Sequence, residues 1–203
     1  MEKETAVFYL DEENPESVAE RVGFSLKRGG VCVVPTDTIY GIVALERFKE
    51  SVKEIYRIKG RSKDKPLIHL IGSKDNLKTY THQPLPESLE RYWPGPLTII
   101  FQGIHENKIS IRLPAGEFLQ KLFEKINFSA IVAPSANPSG EENILECEKL
   151  VEAFHGKVEI IVCKKEALKE ALPSTIIDIS GREWRLVREG EVKLDGVLHG
   201  RTL

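Results

Sequence analysis

The chain has 203 residues, 41% of them hydrophobic and 30% charged, long enough to bury a core and unlike a disordered or membrane chain in composition. Its formal net charge of −2 argues against a protein that coats nucleic acid by charge alone, so any phosphate contact must come from a local patch. No apolar run approaches the ~20 residues that cross a bilayer, and Met1-Glu2-Lys3-Glu4 has no apolar signal core behind it. A cytoplasmic chain is therefore expected.

In chain order, Ala6–Leu10 predicts a strand. Asn14-Pro15 then reads as a cap with proline at the first helical position, and Val18, Val22 and Leu26 mark one apolar helix face. Gly29-Gly30 stops that helix, and Val31–Val34 is an apolar run of the kind buried on both faces of a sheet. Phe48, Val52, Ile55 and Tyr56 line a helix that ends near Gly60. Strands are expected at Leu67–Ile71, Leu97–Phe101, Ile109–Leu113, Ala130–Ala133 and Val158–Cys163. Helices are expected at Pro86–Tyr92, around Phe118 to Ile126, and around Leu150 to Phe154. Two late strands, Thr175–Ile179 and Trp184–Val187, suggest an antiparallel part. The alternation predicts an α/β fold with a twisted mixed sheet flanked by helices, in one domain over residues 1–203.

Cys32, Cys147 and Cys163 are odd in number and widely separated, without Cys-x-x-Cys or Cys/His spacing. Neither a disulfide framework nor a Cys-rich zinc site is expected from them. Cys32, within an apolar strand, reads as a buried inert thiol. The five His residues share no metal-ligand spacing.

Chemistry concentrates at strand ends. Pro35-Thr36-Asp37-Thr38-Ile39-Tyr40-Gly41 follows a buried strand, where ligands of α/β sheets bind, and joins two hydroxyls and a carboxylate. By position alone it is equally a capped turn. Lys59-Gly60-Arg61-Ser62-Lys63-Asp64-Lys65-Pro66 sets four cations within seven residues on a loop constrained by Gly and Pro, suited to phosphate, although a charge run is usually a solvated face. Ala133-Pro134-Ser135-Ala136-Asn137-Pro138-Ser139-Gly140 offers Ser135 and Asn137 to a nucleotide, or merely caps the next helix. Arg112, inside an apolar strand, must snorkel, pair or bind an anion. Trp93-Pro94-Gly95-Pro96 reads as a rigid turn with a packed indole. Neither common nucleotide-binding glycine motif nor a Ser nucleophile elbow occurs.

Taken together and in this order, Pro-Thr-Asp-Thr-Ile-Tyr-Gly, Ile-Lys-Gly-Arg with Lys-Pro-Leu, Trp-Pro-Gly-Pro-Leu-Thr, Ile-Arg-Leu-Pro and Pro-Ser-Ala-Asn-Pro-Ser-Gly closely resemble the YrdC-like family from about Gly29 to Glu189. The resemblance implies a basic concave cavity and a nucleotidyltransferase activity. L-threonine, bicarbonate and ATP would give threonylcarbamoyl-AMP and pyrophosphate, for threonylcarbamoyladenosine modification of tRNA. It implies that Lys59 and Arg61 hold the phosphates and act in catalysis, that Ser135, Asn137 and Arg188 bind ATP, and that Thr36, Arg112 and Ser174 bind threonine. Mg²⁺ is expected to arrive with ATP rather than in a protein cage. Contact with tRNA or double-stranded RNA, and downstream transfer proteins, complete the expected partners.

This chain departs from the family pattern at four places. His69 lies one position before the usual His, which in a strand faces the other way, so that role is not carried over. Asn143 replaces a Ser, and Lys164–Leu172 replaces a Gly-rich stretch and looks helical. Glu189 stands for Pro in the late Arg-Pro-Gly. Ending near residue 203, the chain is expected to lack the extra domain of longer members. Two other readings compete: an RNA- or nucleotide-binding relative without this activity, and a carbamoyl-transfer module, which normally carries zinc-binding Cys motifs.

Overall fold

Helix α1 (Pro15–Lys27) starts as its sequence dictates. Asn14 Oδ1 accepts from the amides of Glu16 at 2.9 Å and Ser17 at 3.3 Å, and Pro15 sits where no helical donor is needed. Val18, Val22 and Leu26 bury the inner face. A computed structural model describes residues 3–105, 107–168 and 171–194.

The strands are β1 (Ala6–Tyr9), β2 (Cys32–Pro35), β3 (Tyr40–Leu45), β4 (Ile68–Leu70), β5 (Leu97–Gln102), β6 (Lys108–Arg112), β7 (Ile131–Val132), β8 (Ile160–Cys163), β9 (Thr175–Asp178) and β10 (Arg185–Arg188). They form one ten-stranded sheet in the order β1-β8-β2-β3-β7-β4-β6-β5-β9-β10. Pairs β1–β8, β8–β2, β4–β6 and β5–β9 are parallel, and the others antiparallel, including the late β9–β10 pair. The mixed α/β architecture is the one the alternation predicts.

The remaining α-helices among the described residues are α2 (Lys49–Lys59), α3 (Glu87–Glu90), α4 (Glu117–Lys125) and α5 (Cys147–Phe154), with a 3₁₀ helix at Lys74–Thr79. Because side chains alternate along a strand, Cys32 and Val34 of β2 join α1 and α4 in one core, while Val31 and Val33 join Ile55 of α2 and Leu150 and Phe154 of α5 in another. A third core, of Trp93, Leu97, Ile99, Phe101, Ile111 and Ile177 among others, backs the far half of the sheet. Trp93 is 3% exposed and its Nε1–H donates to the Leu97 carbonyl at 2.6 Å, which locks the Trp-Pro-Gly-Pro turn.

Three expectations are corrected. Tyr40 and Gly41 are not part of a turn but begin β3, which continues through the fully buried Ile42–Leu45. Residues 164–168 and 171–172 are not helical; 169 and 170 lie outside the described residues. Here Lys165 and Glu166 donate their amides to Asp11 Oδ2, at 2.9 and 3.4 Å, in place of helical bonds. Cys147 and Cys163 form a disulfide with Cα atoms 5.5 Å apart, because the start of α5 lies over the end of β8. Cys32 is the free, buried thiol, and burial pushes it up to about 12.

Candidate active site

The turn between β2 and β3 is built by its own side chains. Thr36 Oγ1 donates to the Ile39 carbonyl at 2.7 Å and accepts from the Thr38 amide at 3.1 Å. Arg112 ends β6, level with Leu70 of β4, and reaches this turn. Its Nη1 donates to Thr38 Oγ1 at 3.2 Å and its Nη2 to Thr36 Oγ1 at 3.4 Å. Nη2 also makes an ion pair with Asp37 Oδ1, while Asp37 Oδ2 accepts from the Ala115 amide at 3.1 Å. The two side chains are 6% and 9% exposed, and Arg112 Nε is buried without a protein partner. Burial first, and nearby Arg188 second, lower the Arg112 guanidinium to about 9. It stays charged at neutral pH, with Asp37 as its counter-ion. A cavity of about 300 Å³ opens beside Thr36, with Gly116, Phe118 and Lys164 in its wall.

Lys59, the last residue of α2, is not on the solvated face that a charge run suggests; it is 3% exposed. Its Nζ donates to the carbonyls of Ser135 and Asn137, both at 2.5 Å, and the Ser139 amide donates back to the Lys59 carbonyl at 2.8 Å. Burial, then the charge of Arg61, lowers Lys59 to about 8. Asn137 Nδ2 donates to the carbonyls of Pro138 and Glu141, leaving its buried Oδ1 without a partner. Arg61 is tied to its own loop, Nε to the Lys65 carbonyl at 3.1 Å and Nη2 to the Pro66 carbonyl at 3.0 Å.

The two groups meet at Gly41, which bridges to Ser135. A Cβ on Gly41 would come within 3.3 Å of Thr36 Cγ2 and 3.6 Å of the Pro134 carbonyl, so only glycine lets the turn and the loop lie together without adjustment. A third group joins Ser174 and Arg188. Arg188 donates to the Ser174 carbonyl from Nε at 3.1 Å and Nη2 at 2.7 Å, and to Ser174 Oγ at 3.2 Å. Ser174 Oγ also lies 2.8 Å from Thr98 Oγ1.

The structure thus brings Thr36 to Arg112, Lys59 to Ser135 and Asn137, and Ser174 to Arg188. Sequence reasoning passed over Asp37 and Thr98 as partners in these groups. Asp37 had a signal, since a buried strand Arg requires a counter-charge; Thr98 had none beyond its place after the rigid turn. His69 keeps other company: its Nε2 lies 3.5 Å from Glu46, which also accepts a hydrogen bond from the Tyr80 hydroxyl. Leu70, its neighbour, is core. Among the described residues no three His, Cys, Asp or Glu side chains converge to hold a metal, and no helix is long and apolar enough to cross a membrane.

A mixed sheet flanked by helices, with an Arg–Asp pair, a buried Lys and hydroxyl-bearing loops gathered at element ends, defines a mixed α/β protein. The model of the Sua5/YciO/YrdC family, described as Telomere recombination, matches residues 25–190, and the chain belongs to this family. It is 33% identical over 85% of its length to the threonylcarbamoyl-AMP synthase of Pyrococcus abyssi, and 31% identical over 76% to that of Bos taurus. It spans 54% and 61% of those two proteins. The structure of P. abyssi Sua5 complexed with L-threonine superposes with a TM-score of 0.83 at 28% identity, covering 98% of this chain and 64% of that one.

Proposed function

We propose that this protein is a threonylcarbamoyl-AMP synthase. The observation that carries the reading is the juxtaposition at Gly41 of the Thr36–Arg112 group with the Lys59–Ser135–Asn137 group. One offers a cation and hydroxyls to a small acid, and the other a cation and a polar loop to a nucleotide. The likeness to a protein solved with L-threonine supports threonine as the acid.

In the reaction, the threonine amine attacks the bicarbonate carbon and water is lost. An oxygen of the resulting carbamate then attacks the α-phosphorus of ATP, and pyrophosphate leaves. Such chemistry asks for positioning and charge neutralisation more than for a covalent nucleophile. Arg112, Thr36 and Ser174 would receive threonine. Lys59 spends two of its three N–H donors on loop carbonyls, which leaves one, with its charge, for a phosphate. Arg61 would face the phosphates from a loop it stiffens itself, and Ser135, Asn137 and Arg188 would hold the nucleotide. Mg²⁺ would arrive with ATP, on its phosphates, rather than in a protein cage. The product would serve tRNA modification in the cytoplasm through separate transfer proteins, with tRNA or double-stranded RNA as a further contact.

Purified protein with ATP, bicarbonate and labelled threonine should release pyrophosphate and form a threonine-dependent adenylate. Absence of both products sinks the reading.

A further inference from the structure

We propose that Asp37 is the positioning residue of this site: it neutralises buried Arg112 and holds its Nη2 while Thr38 holds Nη1, so that the Nε edge is left to meet the substrate carboxylate. The inference rests on the threonine-dependent reaction proposed above and adds a residue to it.

A buried guanidinium without a counter-charge is strongly unfavourable. Asp37 supplies that charge from a turn 75 residues away in sequence. The donors of Arg112 can be followed one by one. Thr38 Oγ1 takes one of the two donors on Nη1, Nη2 gives to Asp37 Oδ1 and more distantly to Thr36 Oγ1, and Nε has no protein partner. A buried donor left unmade is unfavourable, and an anionic oxygen would satisfy it. Charge counts the same way. Arg188 is near enough to act on Arg112 electrostatically; two guanidinium groups against one carboxylate leave a single positive charge, enough for one carboxylate of a small acid.

Asp37 also accepts from the Ala115 amide just before α4, and a Cβ on Gly116 would come within 3.2 Å of the Asp37 amide nitrogen. A purely structural role, fastening α4 to the turn, is therefore the rival account. The two separate cleanly. Asp37→Asn keeps an acceptor for the Ala115 amide but removes the charge beside Arg112, and Asp37→Glu restores the charge on a longer arm.

The experiment measures KM for threonine and for ATP, melting temperature, and competition by L-threoninamide, which lacks the carboxylate. Asp37→Asn should raise the threonine KM roughly tenfold or more, the size of a lost charge-assisted contact, with ATP KM within about twofold. The preference for threonine over threoninamide should shrink, and Asp37→Glu should recover most of it. A fall in melting temperature with threonine KM and that preference unchanged would overturn the proposal. If the wild-type protein forms no threonine-dependent adenylate, the functional reading fails separately. The Arg112 Nε–H resonance in ¹⁵N-arginine-labelled protein then decides the positioning alone: displaced in Asp37→Asn it stands, unmoved it falls.

Discussion

The buried ammonium of Lys59 donates to the carbonyl of Asn137 at 2.5 Å, so the end of α2 and the loop after β7 share one cation. This cation titrates within reach of experiment, because burial and Arg61 lower it to about 8. Below that pH both folded and unfolded chains hold the proton. Between about 8 and the ordinary lysine value the unfolded chain holds more, so this group's contribution to stability rises with pH across the window. The charge offered to phosphate falls across the same window. We expect kcat/KM for ATP to drop as pH rises through about 8 while the melting temperature shows no matching loss. Lys59→Arg, which stays charged, should remove the inflection. Lys59→Ala and Arg61→Ala should each weaken ATP use by roughly 1.5–3 kcal/mol, the range for contacts to charged groups. An ATP profile flat through pH 8 in the wild type would show that Lys59 holds the loop and nothing more.

Much of this arrangement is legible in the sequence. Helix α1 announced itself by Asn14, Pro15 and a four-residue apolar spacing, all local signals. The segments around Thr36, Lys59, Arg112 and Ser135 could be singled out because strand ends and constrained loops are where α/β sheets bind ligands. What stayed hidden was pairing at a distance. Nothing local says that Asp37 meets Arg112, or that Cys147 lies over Cys163. Strand β3 was missed because Ile42–Leu45 is a short apolar run without alternation, buried on both faces, which periodicity cannot distinguish from the tail of a turn. The stretch after β8 looked helical by composition, but the Asp11 carboxylate captures its amides.

Gly190 gives a sharper test of the third group. A Cβ there would fall 2.1 Å from the Pro173 carbonyl oxygen and 2.7 Å from backbone atoms of Ser174 and Thr175. Those atoms belong to the segment that carries Ser174, so the backbone must move. Gly190→Ala should destabilise by about 1–3 kcal/mol, as overpacking does. At roughly 2–4 °C per kcal/mol for a chain of this size, the loss is visible in a thermal melt. It should also raise the threonine KM through Ser174. Gly41→Ala meets one tight neighbour, Thr36 Cγ2 at 3.3 Å, with the Pro134 carbonyl at an ordinary 3.6 Å, and should disturb threonine use with a smaller thermal effect. Equal melting losses for the two variants would argue against this account.

The disulfide makes the last prediction, because its two ends continue directly into the site. Cys147 follows the Asn137 loop, and Cys163 precedes Lys164, whose amide donates to the Tyr40 hydroxyl at 3.1 Å. Closing a loop with a sequence separation of 16 restricts the unfolded chain by about 3 kcal/mol in the chain-entropy account. Reduction, or joint replacement of Cys147 and Cys163 by Ser, should therefore lower the melting temperature by roughly 6–12 °C. The Leu168 amide still donates to the Leu145 carbonyl at 3.0 Å beside the bond, so the loop keeps a second tie. Activity well below the new midpoint should stay within about twofold of wild type, since the bond acts mainly on the unfolded chain. Thiol titration in denaturant should find one free thiol before reduction and three after, the first being Cys32. Three thiols before reduction, or a melting temperature indifferent to reductant, would remove the disulfide from the account of this fold.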